Sequence, residues 1–303
     1  FGSADAIMSS TLVRAVPLIL LGTAVALSFK VGVFNIGGDG QFLAGAAAAT
    51  WIVLLANKPG LLQVVLGLLA GAIAGAAWGL LPAWMLRRWG VFEVLSTLMM
   101  NFIAAQFISY LVRGPLQEPT RIYPQSSSIP VEGQLPLLVA DSRLHGGFLI
   151  ALSVAIVAWV WLSLREGGFR ARLTGINSRA AATAARINTQ GVAFRVFVTG
   201  AALGGLAGAV EVLGVSFALY ENLSPGYGFS AIAVALLAGL HPLGIVGAAV
   251  ILAGLDAGAS TMQRDAGVPA VTAWVVQALL VLAILAVRAV AGRERIFTRA
   301  ART

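Results

Sequence analysis

Six side chains able to hold a proton, a cation or a polar solute stand inside otherwise apolar stretches: Glu93, Asn101, Gln106, Glu211, Asp256 and Gln277. Such groups are costly in hydrocarbon unless they face a neighbouring helix or water, so they line a polar conduit or they tie the structure together. The plainer reading is helix-to-helix bonding for Asn101 and Gln277 and an interfacial position for Glu93 and Glu211. Asp256, an isolated acid in an apolar run, is balanced between the two. Bond-making chemistry finds no constellation. Cysteine is absent and only His145 and His241 are present, which excludes thiolate metal sites, iron–sulfur centres and His/Cys catalysis. Both histidines read as structural, one in a polar linker and the other beside Pro242. Lys30 and Lys58 follow Phe29 and Asn57, so no glycine-rich phosphate loop ending in Gly-Lys-Ser/Thr exists.

Two polar stretches interrupt the apolar pattern: Asn35-Ile36-Gly37-Gly38-Asp39-Gly40-Gln41, and Ser224-Pro225-Gly226-Tyr227-Gly228, the latter's segment running on to His241-Pro242-Leu243-Gly244. Irregular backbone survives at membrane depth only where protein or a water-filled cavity covers it. Paired interruptions in the two halves of a carrier often flank its path. As interfacial turns the same residues would be ordinary punctuation, and composition favours neither reading.

The elements that must position these groups follow from composition. With 59% apolar and 11% charged residues over 303 positions and a mean hydropathy of +0.90, the chain exceeds what a soluble protein of this size can bury. Disorder, collagen and a disulfide scaffold are excluded with it. A membrane-spanning helix needs about 20 mostly apolar residues. The pattern predicts an all-α polytopic membrane protein with helices near 11–29, 41–56, 61–86, 91–112, 147–164, 191–213, 227–240, 243–260 and 268–290. Gly67, Gly71, Gly75 and Gly79 form one small-residue ridge, and Gly200, Gly204 and Gly208 another; both mark close helix packing.

A net charge of +8 with a pI near 11.0 invites a nucleic-acid reading. The arginines, however, cluster: Arg87 and Arg88; Arg165, Arg170, Arg172, Arg179, Arg186 and Arg195 against Glu166; and Arg288, Arg293, Arg295, Arg299 and Arg302 against Glu294. Alternating the segments puts all three clusters inside, as basic loops require. The linker 113–146 balances its charges and reads as extracytoplasmic, while 288–303 reads as a cytoplasmic basic tail. No nucleic-acid partner is needed. The first residues fall outside, without initiator Met or signal peptide, which predicts a trimmed product that has lost an upstream span. In the cytoplasmic loop 165–190, Asn177 or Ser178 can cap a short alanine-rich helix over 179–186. That helix is a low-relief docking surface or a solvated positive loop, and pattern alone does not separate the two.

Val33-Phe34-Asn35-Ile36-Gly37-Gly38-Asp39-Gly40-Gln41 resembles the "FNIGxEGQ" signature of permease subunits of ABC importers for nucleosides and simple sugars, the branched-chain-type permease superfamily. Ser96-Thr97-Leu98-Met99-Met100-Asn101-Phe102-Ile103-Ala104 is similar to that family's "STxMxNxIA" segment. Gly175-Ile176-Asn177 with Ala181, Ala182 and Ala185 resembles its "GxNxxAAxxAGI" loop. The resemblance covers nearly the whole chain, and the first motif is closer to the "EGQ" member of two-permease nucleoside systems. It implies a ten-span permease of two pseudo-repeated halves with broken or short helices, here short of its first span, in the bacterial inner membrane with its C-terminus cytoplasmic. It further implies a second homologous permease, two cytoplasmic ATPases that use ATP and Mg, an extracytoplasmic substrate-binding lipoprotein, and no cofactor on this chain. Asn35, Asp39, Gln41 and Asn101 match motif positions that line or shape the pathway. Gly175, Asn177, Ala181, Ala182, Ala185 and Arg186 would make the ATPase contact. Asp39 stands where the family commonly has Glu, and Arg186 where it has a small residue, which puts substrate fit and the ATPase contact respectively in question. The expected function is inward passage of a nucleoside, with purine nucleosides first. Simple sugars are the runner-up. From other classes come a proton- or sodium-coupled transporter working through Asp256 or Glu211, and a non-transporting membrane scaffold.

Overall fold

A computed structural model describes residues 4–55, 60–139 and 142–266, with isolated positions from 271 to 286. Of the expected span at 268–290 only those isolated helical positions are described, and Gln277 and the tail 288–303 lie outside the described residues.

Among the described residues ten α-helices follow one another: α1 (Ala4–Lys30), α2 (Gly38–Leu55), α3 (Leu61–Trp89), α4 (Glu93–Arg113), α5 (Gly147–Leu164), α6 (Glu166–Ile176), α7 (Ser178–Thr183), α8 (Thr189–Glu211), α9 (Tyr227–Leu237) and α10 (Pro242–Ala266). Seven are long and apolar enough to cross a membrane, which makes this an all-α polytopic membrane protein. The spans of α1, α2 and α8 are 72–78% buried inside the bundle, against 28–33% for those of α3, α4, α5 and α10. Three helices therefore form a centre, and the rest turn one face outward.

Small residues build that centre. The α3 ridge Gly67, Gly71, Gly75 and Gly79 is buried along its length. It meets Ala201, Gly205 and Ala209 of α8, and a Cβ on Gly75 would stand 2.5 Å from the Ala201 carbonyl oxygen. The α8 ridge seen in sequence faces the other way: Gly200 abuts the Ala24 carbonyl of α1, Gly204 abuts Gln41, and Gly208 abuts the Phe42 carbonyl of α2. Thus α8 carries two small-residue faces, and backbone approaches backbone on both.

The expected span 227–240 is instead the eleven-residue α9. At about 1.5 Å per residue it covers about half of a bilayer core about 30 Å thick. Gly226 (φ 92°) enters it in the left-handed region, and Gly239 (φ 63°) and Leu240 (φ 58°) end it. At the C-terminus of α8 a wide π turn, Val212–Ser216, extends the helix to Phe217 (φ 55°).

The bundle has two unlike ends. At one, the 113–146 linker folds against the chain after α8: the amides of Ser126, Ile129 and Leu135 donate to the carbonyls of Leu219, Phe217 and Leu213 at 2.8, 2.8 and 2.9 Å. At the other, the Arg87 guanidinium sits 5.4 Å over the Phe194 ring, and Gly175 lies against the Lys30 carbonyl, so the first two arginine clusters share one end.

Candidate functional site

The stretch 35–41 is held first by its own side chains. Asn35 Oδ1 accepts from the Gly37 amide (3.0 Å) and Gln41 Nε2 (3.1 Å), while Asn35 Nδ2 donates to Gln41 Oε1 (3.2 Å). Asn35 and Gln41 are each 2% exposed, so this pairing satisfies amides that would otherwise be stranded. The rest comes from α4, where every fourth residue on one face meets the stretch. Glu93 accepts from the Phe34 amide (3.3 Å) and Thr97 Oγ1 from the Ile36 amide (3.3 Å). Asn101 accepts from the Gly40 amide (2.8 Å) and donates to the Ile36 carbonyl (2.9 Å). A period near four on a helix aligned with an extended strand of chain gives this ladder, and it explains why the two sequence motifs occur together. Gly40 is required here, since a Cβ would stand 2.9 Å from the Met100 carbonyl oxygen.

Asp39 joins this stretch to the second interruption. Its Oδ1 accepts the Ser224 hydroxyl and the Gly228 amide, the latter at 2.9 Å, across 185 and 189 residues of chain. Ser224 Oγ in turn accepts from the Tyr227 amide (3.2 Å). The first free amides of α9 are thereby satisfied, and an acidic group sits where the helix dipole favours it. Gly38 and Gly228 bring the two backbones together, and the rings of Phe42 and Tyr227 lie 5.7 Å apart. The structure thus brings Asn35, Asp39, Gln41 and Asn101 into one buried network.

Glu211 and Asp256 stand apart from it. Glu211 is buried at the junction of α8 with the π turn and makes no side-chain hydrogen bond among the described residues. Asp256 is half-buried on α10, where Arg14 of α1 donates to its carbonyl (3.3 Å) and to Ser260 Oγ (3.0 Å). Gln106 lies on an exposed face of α4. At the same end Arg113 holds Glu221 at 2.7 and 3.0 Å, and hydrogen bonds from Arg113 and Ser109 pull the Glu221 carboxyl down to about 2. Sequence reading missed Arg14, Glu221, the role of Ser224, and Trp78, whose Nε1 donates to the Met100 carbonyl beside Gly40 (3.3 Å); only Ser224, inside an interrupted stretch, carried a signal. His145 is fully enclosed, accepts the Gly147 amide at Nδ1 (3.1 Å), and its Nε2 finds no partner among the described residues; burial lowers its pKa from 6.5 to about 4.

At the arginine-rich end Asn177 caps α7 through the Ala180 amide (2.9 Å). The expected helix over 179–186 ends at Thr183 because Arg186 turns into the left-handed region (φ 52°) and the Ile187 amide bonds the Ala181 carbonyl (3.1 Å). Ala181 faces inward, while Ala182, Ala185 and Arg186 are exposed. Gly175, at the end of α6, makes the close contact with Lys30 noted above.

Among the described residues no group of three or more His, Cys, Asp or Glu could hold a metal. No solved structure matches the chain. The glucose ABC transporter permease protein TsgB13 of Haloferax volcanii is 36% identical over 92% of this chain and 76% of its own length. The guanosine ABC transporter permease protein NupP of Bacillus subtilis is 36% identical over 94% of this chain and 84% of its own. A second guanosine permease protein of that bacterium, NupQ, is 29% identical over 80% and 78%. Residues 7–286 match the family described as branched-chain amino acid transport system / permease component, and the chain belongs to that family.

Proposed function

We propose that the chain is the membrane-spanning permease subunit of an ATP-driven importer of nucleosides, purine nucleosides foremost. The observation that carries this reading is its 36% identity to guanosine permease NupP over nearly the whole chain. Its lesser similarity to NupQ of the same bacterium supports pairing with a second, homologous permease. The chain would lie in the bacterial inner membrane with its arginine-rich end and C-terminus cytoplasmic, as positive loops favour. There α7 and its flanks, from Gly175 to Arg186, would seat in a partner ATPase, which supplies the ATP and Mg chemistry. A substrate-binding lipoprotein would dock at the 113–146 end. The meeting of 35–41 with 224–228 at Asp39 supports a pathway element: two irregular stretches, each from a different half, share one carboxylate. Movement of α9 against α2 would make and break that link.

Simple sugars are the second reading, favoured by equal identity to the glucose permease TsgB13. The test is uptake of labelled guanosine and labelled glucose in cells with and without this gene. Loss of guanosine uptake alone supports the nucleoside reading. Loss of glucose uptake alone reverses the order.

A further inference from the structure

A groove of about 820 Å³ opens sideways between α5 and α8, floored by Leu27 of α1. It falls within the range of about 300–1,000 Å³ of ligand pockets, and Leu149, Ser153 and Val157, which line it on α5, are exposed on the outer face of the described bundle. Its wall on α5 runs from Leu149 to Trp161, about 18 Å at the helical rise. One leaflet of hydrocarbon is about 15 Å deep. The lining is mostly aliphatic, with Ser153, Thr199 and Trp161 among it, until the arginine-rich end, where Glu166, Arg170 and Arg195 close it.

These three residues, with Val192, also line a second cavity of about 350 Å³ that continues beneath the first and adds Arg186. Three guanidinium groups therefore face one carboxylate. Glu166 is committed to Arg170 as an i,i+4 pair, and neither Arg186 nor Arg195 has a carboxylate within 4.0 Å among the described residues. Arg186 sits in the left-handed region, which disfavours an L side chain and favours glycine. Three arginines lining one cavity against a single, already paired carboxylate leave a positive excess that suits an anion. The groove continuous with that cavity, mostly apolar and about as long as one leaflet is deep, matches acyl chains whose headgroup reaches the arginine-rich end. We infer that the two cavities form one binding site for an anionic phospholipid, acyl chains between α5 and α8 and phosphate on Arg186, Arg195 and Arg170. Because α6, α7 and the start of α8 surround the phosphate, an occupied site braces the segment proposed to meet the ATPase. The proposal does not depend on the transported substrate.

The test uses the full complex in nanodiscs of equal phosphatidylglycerol and phosphatidylcholine, with retained lipid read by native mass spectrometry. Wild type should retain phosphatidylglycerol preferentially. Arg186→Ala with Arg195→Ala should cut that preference about tenfold or more, since each basic residue near an anionic headgroup matters, while Arg195→Lys should keep most of it. Val157→Trp, which fills the groove from its exposed α5 wall and spares the arginines, should displace both lipids. Equal retention of the two lipids by wild type, or an unchanged preference in the double alanine variant, would overturn the site. So would cross-linking of Val157→Cys, the sole cysteine, to a polypeptide segment seated in the groove.

Discussion

Around Gly45, Gly75 and Gly205 a Cβ would fall on another helix's backbone, whereas Ala182 and Arg186 stand in the open at the end of a six-residue helix. The centre of the bundle is over-determined: α2, α3 and α8 cannot shift apart without losing their packing, and the 35–41 stretch is bonded both to itself and to α4. The arginine-rich end is held by the Asn177 and Asn188 caps, the exposed Glu166–Arg170 pair, the Gly175 contact with Lys30, Arg87 over Phe194 and a left-handed Arg186. Between them lies the Asp39 link, few in bonds and joined to a half-length helix. Under the proposed function, the centre would be the rigid body, the arginine-rich end would receive the force, and the Asp39 link would carry motion to the path.

The sharpest way to break the contrast is Gly205→Leu. With the Gly75 backbone 2.7–2.8 Å from any Cβ there, the change should exceed the usual overpacking cost of about 1–3 kcal/mol and abolish recovery of monodisperse protein by size exclusion. Normal recovery would mean the centre yields. At the other end, Ala182→Glu should leave thermal stability within about 0.5 kcal/mol while abolishing ATPase copurification and uptake. If the ATPase still copurifies, the proposed docking role fails.

Asp39→Ala probes the link. Hydrogen bonds to a charged group contribute about 1.5–3 kcal/mol, so freeing the α9 N-terminus should cost uptake at least about tenfold with membrane level near normal. Unchanged uptake would demote the contact to packing. His145 tests whether the 113–146 linker belongs with the rigid part. Its folded pKa, near 4, lies below the unfolded 6.5, so the unfolded chain binds more protons. Its stabilising effect is complete above about pH 6.5 and is lost progressively as pH falls toward 4. His145→Asn, whose Oδ1 can still take the Gly147 amide, should flatten that part of the melting profile. The smallest effect is Arg186→Gly in detergent without added lipid, which should gain about 1 kcal/mol by relieving the left-handed backbone; a loss would show that the arginine side chain holds the loop unaided.

Much of this contrast was legible in the residues. Charge-free lengths located the spans, and the glycine ridges of α3 and α8 marked the tight centre because a four-residue period leaves its trace in a single helix. Gly205 with Ala201 and Ala209 went unnoticed because alanine is common in every apolar helix, and only the partner distinguishes a packing face. The early ending of α9 and α7 depended on Leu240 and Arg186 taking left-handed conformations that their residue types disfavour. Asn35, Gln41 and Asn101 were visible as polar groups out of place. That Asp39 caps a helix 189 residues away rests on tertiary placement, which no local pattern encodes.

The most direct test of the account is guanosine uptake by proteoliposomes containing the complete complex, with ATP supplied to the arginine-rich side. The account predicts saturable uptake that requires ATP and survives an uncoupler. Uptake that proceeds without ATP and collapses when the proton or sodium gradient is dissipated would contradict it, and would return Asp256 and Glu211 to the centre of the mechanism.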